Sequence, residues 1–194
     1  MVQVLKEEVK NRILEAALNE FYKKDFKNAN LRDIANEADV SVGLVYSYFE
    51  NKETLFDEVV SPITNNSFEN LKNNESTNPY ATFVEFERKS ILDLLNKHKE
   101  FVILIDKSFG TKHANYKENL IEVLTEHIKE NRDKLSFNNK LEFEDVFIHI
   151  LANTFIEGIV EIARHYNGKM WAEDMLDLFA EYYFTQLPDR KSVV

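Results

Sequence analysis

Apolar residues return every four positions at the start of the chain, at Leu5, Val9, Ile13, Ala17 and Phe21, with Lys and Glu filling much of the space between them. That spacing predicts one face of a long amphipathic helix over residues 2–24. A short polar link, residues 25–30, leads to Leu31, Ile34, Ala35 and Ala38, whose three- and four-residue spacing predicts a brief second helix with Asn30 as its N-cap. Asp39 and Val40 interrupt the pattern. Ser41 then caps a third helix over 42–48, and Asn51 caps a fourth that starts at Lys52 and is expected to reach about residue 72, with a kink or register change at Pro62.

Residues 73–78 are polar and aperiodic and read as a loop, after which Pro79 suits the first position of a helix carrying Tyr80, Phe83, Val84, Phe86, Ile91, Leu94 and Leu95. A compact apolar block at 101–105 is followed by a break at Gly110. Another amphipathic run follows at Leu120, Val123, Leu124, Ile128 and Leu135. The last two segments are the most apolar: Ile148, Leu151, Phe155, Ile159 and Ile162 form one stripe, and Met175, Leu178, Phe179 and Tyr182 a second. Two such helices in succession predict an antiparallel hairpin. Its apolar faces either fill the chain's own core or pair with a second copy in a two-fold four-helix bundle. In the second case Ile148, Leu151, Ile159, Ile162, Met175, Leu178 and Tyr182 form the dimer interface.

With four Gly and three Pro in 194 residues, there are too few turn formers for frequent hairpins, so the fold class is all-α. The chain has no Cys, which excludes disulfides and thiolate metal sites. No stretch reaches roughly 18 uninterrupted apolar residues, and the first ten residues alternate apolar with charged, so neither a membrane span nor a secretion signal is expected and a cytoplasmic location is. Glu157, Glu161 and His165 repeat at helical spacing, which a solvated face explains better than a metal site. Neither metal nor cofactor is assigned. Glu87, His98, Asp106, His149 and Glu157 could each move a proton, but no two have a recognisable catalytic spacing, so an enzyme is not expected.

The net charge is −10, and residues 1–60 carry eight basic against twelve acidic side chains. Phosphate neutralisation supplies most non-specific affinity for nucleic acid, so a general nucleic-acid binder is excluded and any DNA contact must be a local patch.

Residues 31–45 meet the demands of a helix-turn-helix: a bracing helix, a tight turn, and a second helix whose exposed face can enter a major groove. Ile34, Ala35, Ala38, Val40 and Val45 supply small apolar contacts for two crossing helices. Gly43 costs helix propensity of roughly 1 kcal/mol relative to Ala while allowing close backbone approach.

The residues Arg12 to Ala17, Phe21, Leu31 to Ala35, Ala38, Val40 to Gly43, Tyr46, Tyr48, Phe49 and Asn51 to Leu55 together closely resemble the N-terminal signature of the tetracycline-repressor (TetR) family. The resemblance covers about the first 60 residues. It implies a DNA-binding domain at 1–50 and a helical effector-binding and dimerisation domain at 51–190, joined by the helix 52–72. It assigns Val42, Gly43, Leu44 and Ser47 to the groove-facing surface, with Ser41 at the head of the same helix. Arg32 is placed near bases or backbone, Tyr46 and Tyr48 near phosphates or bases, and Lys52 on a phosphate. A helix N-terminus beside Lys52 favours that last contact.

The chain departs from the family in having Asp25 where Gly is common and Asn30 where a hydroxyl residue is common. The resemblance further implies a small-molecule effector pocket, for which Phe83, Phe86, Phe101, Tyr116, Phe147, His149 and Phe155 are the candidates. The expected function is a ligand-responsive transcriptional repressor that binds a palindromic double-stranded DNA operator as a homodimer and is released by an effector. The acidic head keeps one alternative open, the same fold used as a protein-interaction module without DNA binding.

Overall fold

The computed structural model describes residues 2–65, 88–130 and 145–185. Expectations that fall on 66–87 and 131–144, among them the loop at 73–78, the helix start at Pro79, and Phe83, Phe86 and Leu135, lie outside the described residues. Within these residues all regular structure is helical: α1 (Val2–Lys23), α2 (Leu31–Glu37), α3 (Val42–Tyr48), α4 (Lys52–Thr64), α5 (Arg88–Leu95), α6 (His98–Asp106), α7 (Tyr116–Glu130), α8 (Asp145–Arg164) and α9 (Lys169–Thr185). The chain divides into two compact units, one of Met1–Asn66 with Lys99–Tyr116, the other of Ser67–His98 with Lys117–Val194. The first unit thus takes in α4 and the segment after residue 98, which a division at residue 50 leaves to the C-terminal domain.

In the first unit the four-residue repeat of α1 does what the pattern predicts, and Ile13, Ala17 and Phe21 are fully buried. Phe21, Phe26 and Phe56 pack ring to ring, with Phe56 edge-on to Phe21 at 5.1 Å and to Phe26 at 5.2 Å. Phe21 and Phe56, both fully buried, each contribute about 1.5–3 kcal/mol of apolar burial, so this cluster is a principal tie between α1 and α4. The fourth helix runs to Thr64 with Asn65 as C-cap, and the expected reach to about residue 72 lies outside the described residues. Pro62 lies inside the helix, where the missing N–H leaves the Glu58 carbonyl without its helical partner, and the Ser61 hydroxyl donates to that carbonyl at 2.9 Å.

In the second unit α8 and α9 form the expected antiparallel hairpin, turning at Gly168 with φ 99°, and α5 packs on both. The two helices meet closely at Gly158, where a Cβ would run into the Phe179 ring. The Tyr183 hydroxyl donates to the Leu151 carbonyl at 2.7 Å, and Arg88 forks onto Asp177 at 2.6 and 2.8 Å. Asp177 is held below the ordinary carboxylate range by that hydrogen bond, against the opposing effect of burial. Among the described residues α8 alone is long and apolar enough to cross a membrane, yet Ile148, Ala152, Phe155, Ile156, Ile159, Val160, Ile162 and Ala163 are buried in the protein, as in the core helix of a folded domain.

The hairpin divides the interface stripe between inner and outer faces. Ile148, Ile159 and Ile162 are buried within a single chain, and Leu151 and Met175 are partly so, whereas Leu178 and Tyr182 are exposed. A stripe read from periodicity alone merges the inner face of α8 with the outer face of α9.

Candidate nucleic-acid interface

The helix-turn-helix is built by three caps and one left-handed turn. The Asn30 side chain accepts from the Arg32 backbone N–H, and that of Ser41 accepts from the Leu44 N–H. Asn51 and Thr54 satisfy each other's backbone in a capping box. Each cap fixes a helix start by pairing an otherwise orphaned N–H. Asp39, between α2 and α3, has φ 54°, so the chain reverses there in a conformation that Asp tolerates and Gly prefers.

With Val45 and Phe49 buried, the opposite side of α3 is left in solvent: Ser41, Gly43, Leu44, Tyr46 and Ser47 are exposed, and Val42 is half-buried. Tyr46 stands out with 53% exposure, too much for a packing aromatic. The Ser47 hydroxyl donates to the Leu44 carbonyl at 2.7 Å, which commits its proton and leaves its lone pairs to accept from a base donor. Leu44 offers methyl contacts. Gly43 has open space where a Cβ would stand, the nearest atom being Ser41 Oγ at 3.9 Å. The folded chain therefore does not itself require glycine at that position.

Arg32, in the first turn of α2, is exposed. Tyr48 and Lys52 sit differently from the expected contacts. The Tyr48 hydroxyl donates to the Lys6 carbonyl at 3.1 Å, bracing α1 against α3. The Lys52 ammonium turns back onto the 25–29 link, donating to the Ala29 carbonyl at 3.0 Å and lying over the Phe26 ring at 4.7 Å. Burial lowers its pKa, with partial compensation from the Asp25 carboxylate. Asp25 itself takes φ 126°, a region that favours glycine, and recovers two bonds from Asn28, at 2.8 Å from its N–H and 2.9 Å from its side-chain amide.

A network that sequence reasoning missed sets the bracing helix. The buried Glu20 carboxylate accepts from the Asn30 N–H at 3.2 Å and from Lys24 at 2.8 Å, and Lys24 reaches on to Asp33 of α2 at 2.8 Å. Hydrogen bonds to Asp33 and then Glu20 push the Lys24 ammonium up to about 12. The Glu20 to Lys24 spacing is a legible helical ion pair, but nothing in the pattern points to Asp33. A second missed group lies on α4, where Asp57 takes bonds from Lys112 at 2.6 Å and His113 at 2.8 Å. Burial raises the Asp57 pKa, but these two hydrogen bonds outweigh it and hold the carboxyl below its usual range.

The candidate effector residues, apart from Phe83 and Phe86, which lie outside the described residues, divide between the two units. Phe101 is buried and Tyr116 half-buried in the first unit. In the second, Phe155 is buried against Phe179 and Tyr183, while Phe147 and His149 are exposed.

Residues 13–59 match the family profile for bacterial regulatory proteins of the tetR family. An uncharacterized HTH-type transcriptional regulator of Bacillus subtilis, YhgD, is 30% identical over 96 residues, 50% of this chain and 49% of that protein. A second from the same organism, YerO, is 22% identical over 169 residues, 84% of this chain and 58% of that protein. The chain thus spans between half and three-fifths of these curated relatives. Among solved structures, NalD of Pseudomonas aeruginosa, the secondary repressor of the MexAB-OprM multidrug efflux pump, superposes with a TM-score of 0.58 at 21% identity, over 93% of this chain and 96% of that one. That likeness shows the shared fold.

Proposed function

We propose that the chain, whose residues 13–59 match the profile for bacterial regulatory proteins of the tetR family, is a transcriptional repressor that reads a palindromic operator as a homodimer. In this reading the exposed face of α3 enters the major groove, with Gly43 admitting the DNA backbone or a base edge, Tyr46 and Ser47 reaching polar groups, and Leu44 and Val42 meeting thymine methyls. The observation that carries it is the glycine: a helix position that gives up side-chain propensity, in a place where its own chain leaves room for one.

The second unit supports the proposed dimer. Val146 and Ile150 on α8 and Leu178 and Tyr182 on α9 are between 51% and 68% exposed, each pair at four-residue spacing. A second copy that covers them would satisfy both the apolar surface and the two-fold symmetry of a palindrome. NalD is by its description a repressor, and the same direction of control is proposed for this chain. Release by a small molecule held among the C-terminal helices completes the proposal, with the aromatic group around Phe155 as the place where such a ligand would insert.

The test is selection of bound duplexes from a random pool. The reading predicts an enriched inverted repeat whose half-sites lie on one face of the helix, and a pool that stays unenriched overturns it.

A further inference from the structure

Between residues 25 and 65 the chain has three cations, Lys27, Arg32 and Lys52. Lys27 and Arg32 are exposed; Lys52 is half-buried. From the first residue of α4 its side chain crosses to the 25–29 link, where the ammonium donates to Ala29 at 3.0 Å and toward Lys27 at 3.4 Å, over the Phe26 ring. An ammonium has three N–H donors, and two carbonyls with an aromatic face take up the directions they command. A phosphate would have to displace these partners.

We propose that Lys52 is a positioning residue for DNA binding: its ammonium pins the link ahead of α2 to the start of α4, and the charge that meets phosphate comes from Lys27 and Arg32. This rests on the DNA-binding reading above. The link needs such a tie. Asp25 holds a left-handed φ, Ala29 is buried, and Asn30, the next residue, caps α2 and bonds to Glu20. Freeing the Ala29 carbonyl loosens this cap and the start of α2, so that ordering them on DNA costs affinity while Arg32 still reaches its phosphate.

Two variants separate positioning from contact. Lys52→Met keeps the stem over Phe26 without donors, and Lys52→Gln keeps donors without charge. Affinity for a selected duplex is followed across a salt series, with Arg32→Ala alongside. Each lost phosphate contact lowers the slope of log affinity against log salt by about 0.9. Lys52→Met is expected to bind about tenfold more weakly, the usual scale for one lost charged hydrogen bond, with the parent's slope unchanged. Lys52→Gln is expected to keep that slope too and to recover part of the affinity. A slope that falls by about 0.9 in either variant makes Lys52 a contact and overturns the proposal. So does unchanged affinity in a folded Lys52→Met protein, which leaves it only a structural role.

Amide exchange in the DNA-free protein is the independent readout. Lys52→Met should speed exchange at Ala29 and Asn30, and unaltered exchange there contradicts the tie. If the parent enriches no duplex, the regulator reading falls by itself, while these two amides still decide whether Lys52 holds the link.

Discussion

Asp25 and Asp39 both stand in left-handed backbone, but they differ in what their side chains recover. Asp25 accepts two bonds from Asn28, and these together with a lesser effect of Lys107 outweigh burial and lower its pKa. Among the described residues the Asp39 side chain makes no hydrogen bond. Asp39→Gly should therefore stabilise the protein by up to about 1 kcal/mol, and Asp25→Gly by less, as read from urea unfolding. Equal gains would mean that the Asn28 bonds contribute nothing. The turn at 25–30 was legible as polar and tight, and Asp25 was legible as a departure from Gly. The occupation of Lys52 was not, because its partners come from packing α1 on α4, which no local spacing records. The N-caps at Asn30, Ser41 and Asn51 were legible because a cap is a local rule.

Periodicity gave the hairpin of α8 and α9 but not which face is covered. An apolar side chain at a helical repeat looks the same whether its neighbour is in its own chain, as for Ile148 and Ile159, or absent, as for Leu178. Gly158 is the clearest packing constraint. Although Ala is favoured over Gly in a helix by about 1 kcal/mol, Gly158→Ala drives a methyl into Phe179, and such overpacking costs about 1–3 kcal/mol. A net loss of stability in chemical denaturation is expected, and a gain would contradict the close approach of the two helices.

The bond of the 108–113 turn to α4 has a pH signature. The folded pKa of Asp57 lies below its unfolded value of 3.8, so its contribution is present above that value and is lost as pH falls through the folded pKa. Asp57→Asn should flatten the fall in melting temperature below about pH 4. An unchanged acid limb would show that Asp57 is not part of it.

At the scale of the molecule, an acidic protein with a net charge of −10 cannot hold DNA through bulk charge. On the proposed reading, useful affinity comes from two heads acting together, which ties DNA binding to the proposed dimer. Leu178→Glu places a charge in the exposed face of α9, and sedimentation is expected to show monomers, with binding to a selected duplex weakened in parallel. Dimers with normal binding would move the interface elsewhere.

The most direct test of the central claim is Gly43→Ala, measured as affinity for a selected duplex beside melting temperature. The free chain has room for the methyl, so stability should hold or rise, by up to about 1 kcal/mol from helix propensity alone. In a groove-facing helix the same methyl meets DNA, and affinity should drop at least about tenfold, as for roughly 1.4 kcal/mol of lost contact. A variant as stable as the parent that binds its duplex equally well would take the exposed face of α3 out of the DNA interface.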